Sequence, residues 1–279
     1  MPYINYNGKT VAADQAVVAA ASRGLRYGDG LFETMKMLNG SIINETAHFD
    51  RLWHGMGVLQ FDIRAHFNRE HLAGIIKLLA QKNGHEAAAR IRLNIFRGEG
   101  GLYDPVNHLP NYIIETWPLE NAAPGLNTNG LVAGVFYDVK KSCDILSNLK
   151  HNNYLHFALA ALKAKKEQWN DAFILNQHGR IAESTISNIF IIKNETVYTP
   201  ALTEGCVAGT MRKLLIQFLQ QNGWAVNETA ISIDDVAEAR EIFLTNSTSV
   251  IRWVGRVGDS NYKNTLTQKI YKAFLPTIC

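Results

Sequence analysis

The sequence has 279 residues, a formal net charge of +3, and 47% hydrophobic and 19% charged residues. Domains usually contain about 100–200 residues, so this length predicts two domains, and the composition is that of a globular protein with a buried core. So small a net charge does not indicate a nucleic-acid or membrane partner. The longest apolar run, residues 16–22, is far shorter than the ~20 residues of a membrane-spanning helix.

The cysteines predict an intracellular setting. Cys143, Cys206 and Cys279 are odd in number and widely spaced, and no CxxC pair is present. Neither a disulfide framework nor a zinc site is therefore predicted. We expect reduced thiols and a cytoplasmic location, since the first residues also lack the basic and apolar segments of a secretory signal.

The first part of the chain mixes strands and helices. Asn7-Gly8 and Asn39-Gly40 each lie between alternating apolar residues and predict the turns of two β-hairpins. Two helical patterns follow at 48–59 and 69–84, and two strand patterns at 89–98 and 111–119.

Residues 118–130 are rich in Pro, Gly and Asn and predict a linker between two domains. We set the small domain at 1–118, the linker at 119–128 and the larger domain at 129–279. The larger domain begins with a strand pattern at 131–139. A long amphipathic helix is then predicted over 151–169, with an apolar side formed by Tyr154, Leu155, Ala158, Leu159 and Leu162.

The remaining patterns also alternate between helix and strand. Strands are predicted at 171–176, 181–184, 187–192, 197–200, 241–246 and 249–257, and helices at 209–223 and 233–239. Because the regular βαβ alternation of a doubly wound sheet is missing, an α+β fold with two sheet-containing domains is predicted.

Several common active-site motifs do not occur in the sequence. It contains no GxxxxGK[ST] loop, no HExxH and no GxSxG elbow. The nine histidines are scattered and are interpreted as surface or core residues, so no metal site is predicted. The glycine-rich stretch 97–103 is not a dinucleotide fingerprint, because no helical pattern follows it.

Two residues of the second half suggest imine chemistry. Lys150 immediately precedes the long helix, where a lysine can point into the interior and become a nucleophilic amine; a solvated lysine is the alternative. Glu183 lies in an otherwise apolar stretch, and a buried carboxylate needs a partner; a glutamate facing water is the alternative. Pyridoxal phosphate requires both an amine and an anion opposite its ring nitrogen.

Two polar segments could bind the phosphate of such a cofactor. Residues 205–213 place two glycines and a threonine at a helix start, where amides and the helix dipole attract anions. An ordinary helix start is the alternative. The cluster 245–249 follows a strand and could add the hydroxyl groups of Ser247 and Thr248.

These motifs, in this order, resemble the class IV, or fold-type IV, family of pyridoxal-phosphate enzymes. Residues 150–154 give K-x-x-N-Y, 183–190 give E-S-T-x-S-N-I-F, and 209–212 give G-T-M-R. In the first half, 23–33 resemble RG-x-x-x-GDG-x-[FY]-E, 48–52 resemble H-x-x-RL, and 97–103 resemble the substrate loop of the family. The family includes branched-chain aminotransferases, D-amino acid aminotransferases and 4-amino-4-deoxychorismate lyases.

The resemblance implies pyridoxal 5′-phosphate as cofactor and a role for each matching residue. Lys150 would form the Schiff base and move the proton between substrate Cα and cofactor C4′, and Glu183 would pair with the pyridine nitrogen. The other cofactor-binding residues would be Arg51, Tyr154, Asn188, Gly209, Thr210, Met211, Ser247 and Thr248.

The resemblance also implies substrates, partners and architecture. Tyr27, Phe32 and Glu33 would line the substrate pocket, and Arg97 would lie near the substrate carboxylate across a homodimer interface. The substrates would be an amino acid and a 2-oxo acid. The fold would comprise a small N-terminal α/β sandwich and a larger C-terminal pseudo-barrel domain.

The motifs are compatible with two types of reaction. Leu102 stands where lyases of the family often carry an arginine, which favours an aminotransferase. Asp29 and Met211 instead make their motifs closer to lyase-like or D-amino-acid-like members than to branched-chain enzymes. We favour an aminotransferase for a small amino acid, with 2-oxoglutarate or pyruvate as acceptor. A lyase that releases pyruvate and 4-aminobenzoate is the alternative, and the intact lysine, carboxylate and arginine oppose a non-catalytic scaffold.

Overall fold

The computed structural model describes residues 2–120 and 125–278. The chain divides into two compact units, Met1–Ala123 with Lys150–Asn153, and Pro124–Leu149 with Tyr154–Cys279. The predicted linker includes residues 121–124, which lie outside the described residues, so the domain boundaries stay a prediction. No pattern in the sequence predicted that four residues beginning with Lys150 would group with the first unit.

The first unit contains a six-stranded antiparallel sheet, in the order β2-β1-β6-β5-β3-β4. Its elements are β1 (Tyr3–Tyr6), β2 (Lys9–Ala12), α1 (Arg23–Tyr27), β3 (Gly30–Leu38), β4 (Ser41–Ile42), α2 (Glu45–Val58), α3 (Arg69–Lys82), β5 (Ala88–Arg97) and β6 (Pro110–Pro118). Both predicted hairpins are confirmed, with Asn7 and Asn39 at positive φ in their turns.

Helices α2 and α3 pack on this sheet and close the core of the first unit. Helix α2 packs on β3, and α3 packs on β1 and β6. Met35, Leu72 and Ile91 are fully buried, as expected for apolar residues that recur with the period of a strand or helix.

The second unit contains a mixed sheet in the order β12-β11-β10-β13-β14-β7-β8-β9, with β15 beside β14. Its elements are β7 (Leu131–Lys141), α4 (Leu155–Lys166), β8 (Asp171–Asn176), β9 (Ile181–Ser184), β10 (Asn188–Lys193), β11 (Thr196–Pro200), α5 (Thr210–Gln221), β12 (Val226–Thr229), α6 (Ile233–Ala237), β13 (Glu241–Asn246), β14 (Val250–Val257), β15 (Ser260–Asn261) and α7 (Thr265–Phe274). Short 3₁₀ turns lie at Leu202–Glu204 and Leu275–Thr277.

Helices α5 and α7 cover β13, and their apolar residues form one core cluster with the sheet. Phe190 and Phe243 stack within it, with ring centroids 5.0 Å apart. The predicted strands and helices of this half are confirmed, and the mixture of elements confirms the α+β class. Among the described residues, no helix is both long and apolar enough to cross a membrane.

Helix α4 forms as predicted, but the leucines of its predicted apolar side do not pack on the sheet. Leu155, Leu159 and Leu162 are 79%, 46% and 63% exposed. The residues buried against the sheet are Phe157, Ala160 and Ala164. The small alanines let the helix approach β7 and β8 closely, so the face with fewer large side chains packs inward.

The sequence analysis did not predict the C-terminal helix α7. Its buried residues Leu266, Ile270 and Phe274 recur every four positions, which is a helical signal. The fully buried Glu241 accepts hydrogen bonds from the amides of Leu266 and Thr267 at 2.9 and 2.8 Å. This carboxylate anchors the first turn of α7 to the sheet.

Candidate active site

Glu33, His48 and Arg51 form a buried ionic cluster in the first unit. Helix α2 carries His48 and Arg51 three residues apart, and therefore on one face, toward Glu33 in β3. Arg51 donates from Nε to Glu33 Oε1 at 2.8 Å and from Nη2 to Oε2 at 2.6 Å. Nδ1 of His48 lies 2.7 Å from Glu33 Oε2. The two-point contact fixes the plane of the guanidinium.

Glu33 is only 1% exposed, and burial by itself would raise its pKa. The charges and hydrogen bonds of Arg51 and His48 outweigh burial and lower the pKa of Glu33 from 4.5 to about 2. Glu33 is therefore an anion at neutral pH that orients Arg51. The sequence analysis missed this role, although a glutamate buried in a strand requires a cationic partner.

Lys150 and Phe32 meet within the first unit. Nζ of Lys150 lies 4.5 Å from the centroid of the Phe32 ring, which is 4% exposed. A lysine predicted to react and an aromatic residue predicted to line the substrate pocket are thus direct neighbours.

Arg97 is buried within its own unit. It donates from Nε to both carboxylate oxygens of Asp29, at 3.0 and 3.1 Å, and from Nη1 to the carbonyl oxygen of Gln60 at 3.3 Å. Nη2 donates to the carbonyl oxygen of Leu59. Arg23 binds the same Asp29 at 2.9 Å. All three nitrogens of Arg97 bond protein acceptors, so its predicted contact with a substrate carboxylate stays a prediction.

Tyr27 lies at the end of α1, next to the predicted substrate loop. Its ring centroid is 6.3 Å from that of Tyr103, which is 90% exposed. The loop therefore presents an aromatic side chain at the surface of the first unit, together with the exposed Leu102 and Val106.

Glu183 is buried in the second unit and has a cationic partner that sequence reasoning missed. The ammonium group of Lys141, at the end of β7, donates to Glu183 Oε1 and to the carbonyl oxygen of Ser147. The amide of Val207 lies 3.1 Å from both carboxylate oxygens. Glu183 and Lys141 are 3% and 4% exposed, so the carboxylate is held by a buried ion pair and a backbone donor.

The turn after Glu183 is held by a second buried acid, Asp171. Ser184 Oγ donates to Asp171 Oδ2 at 2.8 Å, and Thr185 donates to Oδ1 from its amide at 3.0 Å and from its hydroxyl at 2.6 Å. The role of Asp171 was not predicted from the sequence. The interactions give Glu183 a rigid backbone.

Helix α5 begins with a pattern suited to an anion. Gly209 is its N-cap and has no capping side chain, and the first turn contains no acidic residue. A Cβ on Gly209 would lie 1.9 Å from Oδ1 of Asn188, so only glycine permits this approach. Asn188 in turn donates to the carbonyl oxygen of Val207 at 2.9 Å. The first turn of the helix, which begins with Thr210 and Met211, thus contains no acidic residue and presents backbone amides to an anion.

The cluster Thr245–Ser249 faces the start of α5 within the second unit. Thr210 Oγ1 and Ser247 Oγ are 3.1 Å apart. Oδ1 of Asn246 accepts from the amides of Thr248 and Ser249 at 3.0 and 2.8 Å, which shapes the turn that carries these hydroxyl groups. The structure therefore brings together Thr210 and Ser247, as the anion-site prediction requires.

Tyr154 precedes α4 and stacks on Phe157, with ring centroids 4.2 Å apart. Its predicted role in binding the cofactor stays a prediction. Among residues 2–120 and 125–278, no group of three or more His, Cys, Asp or Glu side chains could hold a metal ion.

The donor set of the second unit fits pyridoxal phosphate. A buried carboxylate suits a protonated ring nitrogen, because it compensates the positive charge that such a ring carries. A glycine-capped helix start beside two hydroxyl groups suits a phosphate, because amides and hydroxyls donate to its oxygens. These residues therefore fit the ring nitrogen and the phosphate of this cofactor.

Comparison with known proteins identifies the family. The family model "Amino-transferase class IV" matches residues 30–257, which is most of the chain. The chain therefore belongs to the class IV aminotransferase family, whose enzymes use pyridoxal 5′-phosphate. The predicted family, cofactor and enzyme class are confirmed.

The relatives carry names for different reactions. A protein of Methanocaldococcus jannaschii with a provisional name as branched-chain-amino-acid aminotransferase is 30% identical over 97% of this chain and 94% of its own length. The aminodeoxychorismate lyase of Vibrio harveyi is 28% identical over 84% of each chain. The D-alanine aminotransferase of Bacillus licheniformis is 26% identical over 88% of this chain and 85% of its own.

A solved structure supports the same fold. The branched-chain aminotransferase of Thermoproteus uzoniensis superposes with a TM-score of 0.87 at 22% identity, over 99% of this chain and 94% of that chain. The predicted fold class is confirmed. The family thus fixes a pyridoxal-phosphate enzyme, either an aminotransferase or a lyase.

Proposed function

We propose that this protein is an aminotransferase that moves an amino group between a small amino acid, of the branched-chain or D-amino acid type, and a 2-oxo acid. The observation that carries the proposal is the composition of the loop at 98–109, which contains no lysine or arginine. Its tip carries the exposed apolar residues Leu102 and Val106. An aminodeoxychorismate molecule carries two carboxylates, whereas a small amino acid has one carboxylate and a short side chain that suits an apolar loop.

In this proposal Lys150 is the catalytic residue: its amine would hold the cofactor and would move the proton at substrate Cα. The bound cofactor supplies an electron sink for the carbanion at that carbon. The carboxylate of Glu183, held by Lys141, would pair with the ring nitrogen of the cofactor. Arg51, oriented by Glu33, binds the phosphate.

The remaining assignments follow from the same proposal. The phosphate and ring are held by Tyr154, Asn188, Gly209, Thr210, Met211, Ser247 and Thr248, and the substrate is bound by Tyr27, Phe32, Glu33 and Arg97. For Glu33 and Arg97 the described bonds favour an indirect contribution, because both side chains are buried in ion pairs with neighbouring residues.

A donor panel tests the reaction. The purified enzyme with its cofactor is mixed with single L- and D-amino acids, and the cofactor absorbance is followed. We expect one small amino acid to convert the cofactor to its amine form, and a 2-oxo acid to reverse the change. Absence of any donor reaction, together with rapid release of 4-aminobenzoate from aminodeoxychorismate, would contradict the proposal and establish the lyase.

The lyase is the second candidate, and Asp29 is the residue that favours it. Asp29 makes the N-terminal motif YGDG, which is closer to lyase-like and D-amino-acid-like members than to branched-chain enzymes. Its carboxylate is bound by Arg23 and Arg97. We therefore include aminodeoxychorismate in the panel from the start.

We further propose a homodimer in the cytoplasm. The exposed face of α4, formed by Leu155, Leu159 and Leu162, supports association, since three large apolar side chains on one helix are costly to leave in water. The free thiols of Cys143 and Cys206 support a reducing location. Burial raises the pKa of Cys206 to about 12, which keeps this thiol unreactive.

A further inference from the structure

The first residues of β3 have a second neighbour besides β5. Strand β5 pairs with β3 along its full length, whereas β4 covers only Met37 and Leu38 on the opposite edge. The start of that edge is covered by the segment that contains Lys150. The amide of Phe32 donates to the carbonyl oxygen of Lys150 at 2.9 Å, and the amide of Asn152 donates to that of Gly30 at 3.0 Å.

These two bonds flank an antiparallel bridge between Leu31 and His151. Residues 150–152 therefore extend the sheet of the first unit by one short strand-like segment. Nδ2 of Asn152 also donates to the carbonyl oxygen of Ile95 in β5, at 3.4 Å. The main chain of residues 150–152 is thus fixed by hydrogen bonds to residues that lie more than a hundred positions earlier in the sequence.

The glycines of the motif YGDG permit this contact. A Cβ on Gly30 would lie 2.6 Å from Nδ2 of Asn152 and 2.2 Å from the carbonyl oxygen of Ile95. A Cβ on Gly28, which has a φ of +63°, would lie 2.4 Å from Oδ1 of Asn153. A side chain at either position would therefore clash with its neighbours unless they shifted.

The side chain of Lys150 is directed by the same strand. Its Nζ lies 4.5 Å from the centroid of the Phe32 ring, and the guanidinium carbon of Arg92 lies 4.0 Å from that centroid. The face of an aromatic ring attracts an ammonium group, so the ring favours one direction of a flexible side chain. Phe32 is itself 4% exposed, and its orientation is fixed by packing.

We propose that Gly28–Phe32 is the positioning element for Lys150, with Phe32 as the positioning residue for its amine. The two glycines and two backbone bonds fix the main chain, and the ring fixes the side chain. The inference rests on the proposed function, in which this amine binds the cofactor. It assigns the two glycines of the YGDG motif to the docking of the lysine segment.

The test measures how exposed and reactive Lys150 is in the protein without cofactor. Each variant is treated with acetic anhydride at one fixed pH, and acetylation of Lys150 is measured by mass spectrometry. The variants are Phe32→Leu, which removes the ring, and Phe32→Tyr, which keeps it. Met35→Leu, a change at a fully buried position of the same strand, is the matched control.

We expect Phe32→Leu to raise the acetylation rate of Lys150 about threefold, because an amine released from the ring is more accessible to the reagent. Phe32→Tyr and Met35→Leu keep the wild-type rate. If Phe32→Leu does not fold, Asn152→Ala replaces it, since it removes the bond to Ile95 and should raise the same rate. A wild-type rate in folded Phe32→Leu, or in Asn152→Ala where that variant replaces it, overturns the inference.

Borohydride trapping separates this inference from the proposed function. Wild-type protein is incubated with pyridoxal phosphate and reduced, and the labelled residue is identified. Label on Lys150 supports the proposed function, whatever the acetylation rates of the variants are. Label on another residue, or no label, overturns the proposed role of Lys150 in binding the cofactor. The acetylation rates then still test whether β3 positions Lys150.

Discussion

Buried ion pairs are the residue-scale feature on which the candidate site depends. Glu183 and Lys141 are both at least nine-tenths buried, and neither has an alternative partner of opposite charge among its described bonds. Two charges removed from water are stable only as a pair, and removing one partner leaves the other uncompensated. The same reasoning applies to Glu33 with Arg51 and His48.

Lys141→Met should lower the free energy of unfolding of the cofactor-free protein by about 3 kcal/mol, because Glu183 then remains buried without its cation. The measurement is urea denaturation followed by circular dichroism. Lys140→Met is the matched control, since Lys140 is the exposed neighbour in the same strand and should change stability little. Equal stability of the two variants would mean that the pair contributes nothing.

The pKa of Glu33 predicts a pH dependence of stability. Because folding lowers this pKa from 4.5 to about 2, the ionised cluster stabilises the protein fully above pH 4.5 and loses this effect as the pH falls toward 2. The difference in unfolding free energy between wild type and Glu33→Gln should therefore shrink by roughly 3 kcal/mol over that range. Glu70→Gln, at an exposed position, serves as control. A constant difference across the range would contradict the assignment.

At the scale of elements, the sequence pattern predicted that α4 is a helix, but packing decided which of its faces is buried. Its periodicity predicted the helix correctly, but two apolar faces competed for the interior. The face with Ala160 and Ala164 packs on the sheet, and the leucine face remains exposed. Packing against β7 and β8 decides which face of α4 is buried, because the face with small side chains can lie closer to these strands.

Leu162→Glu should weaken a dimer that uses the leucine face of α4. Loss of one buried leucine and burial of a charge should raise the dimer dissociation constant at least about tenfold. The measurement is light scattering after size-exclusion chromatography over a range of concentrations. Leu78→Glu on α3, where the leucine is 67% exposed, is the control. Identical behaviour of both variants and wild type would remove α4 from the interface.

At the scale of the whole molecule, a cofactor that binds only the folded chain stabilises it by mass action. Pyridoxal phosphate at about one hundred times its dissociation constant should add about 2.7 kcal/mol and raise the thermal midpoint by roughly 5 °C. Lys150→Ala, which under the proposed function loses the covalent bond to the cofactor, should show a smaller rise. Inorganic phosphate at the same concentration is the control, and an equal rise with phosphate alone would contradict specific cofactor binding.

The sequence by itself determined the family, the cofactor and nearly all of the helices and strands. These features are local, since a turn such as Asn7-Gly8 or a motif such as residues 183–190 contains its own signal within a few positions. Lys150 and Glu183 could be identified as candidate site residues in the same way, because each lies inside a contiguous motif.

Tertiary structure alone decided which residues support those candidates. Lys141 lies 42 positions from Glu183, and Gly30 lies 120 positions or more from the segment that it accommodates. Burial makes such partners necessary, because an isolated charge or an unpaired backbone edge is costly in the interior. The sequence indicates that a buried charge or strand edge requires a partner. It does not indicate which distant residue is that partner, since only folding brings the two residues together.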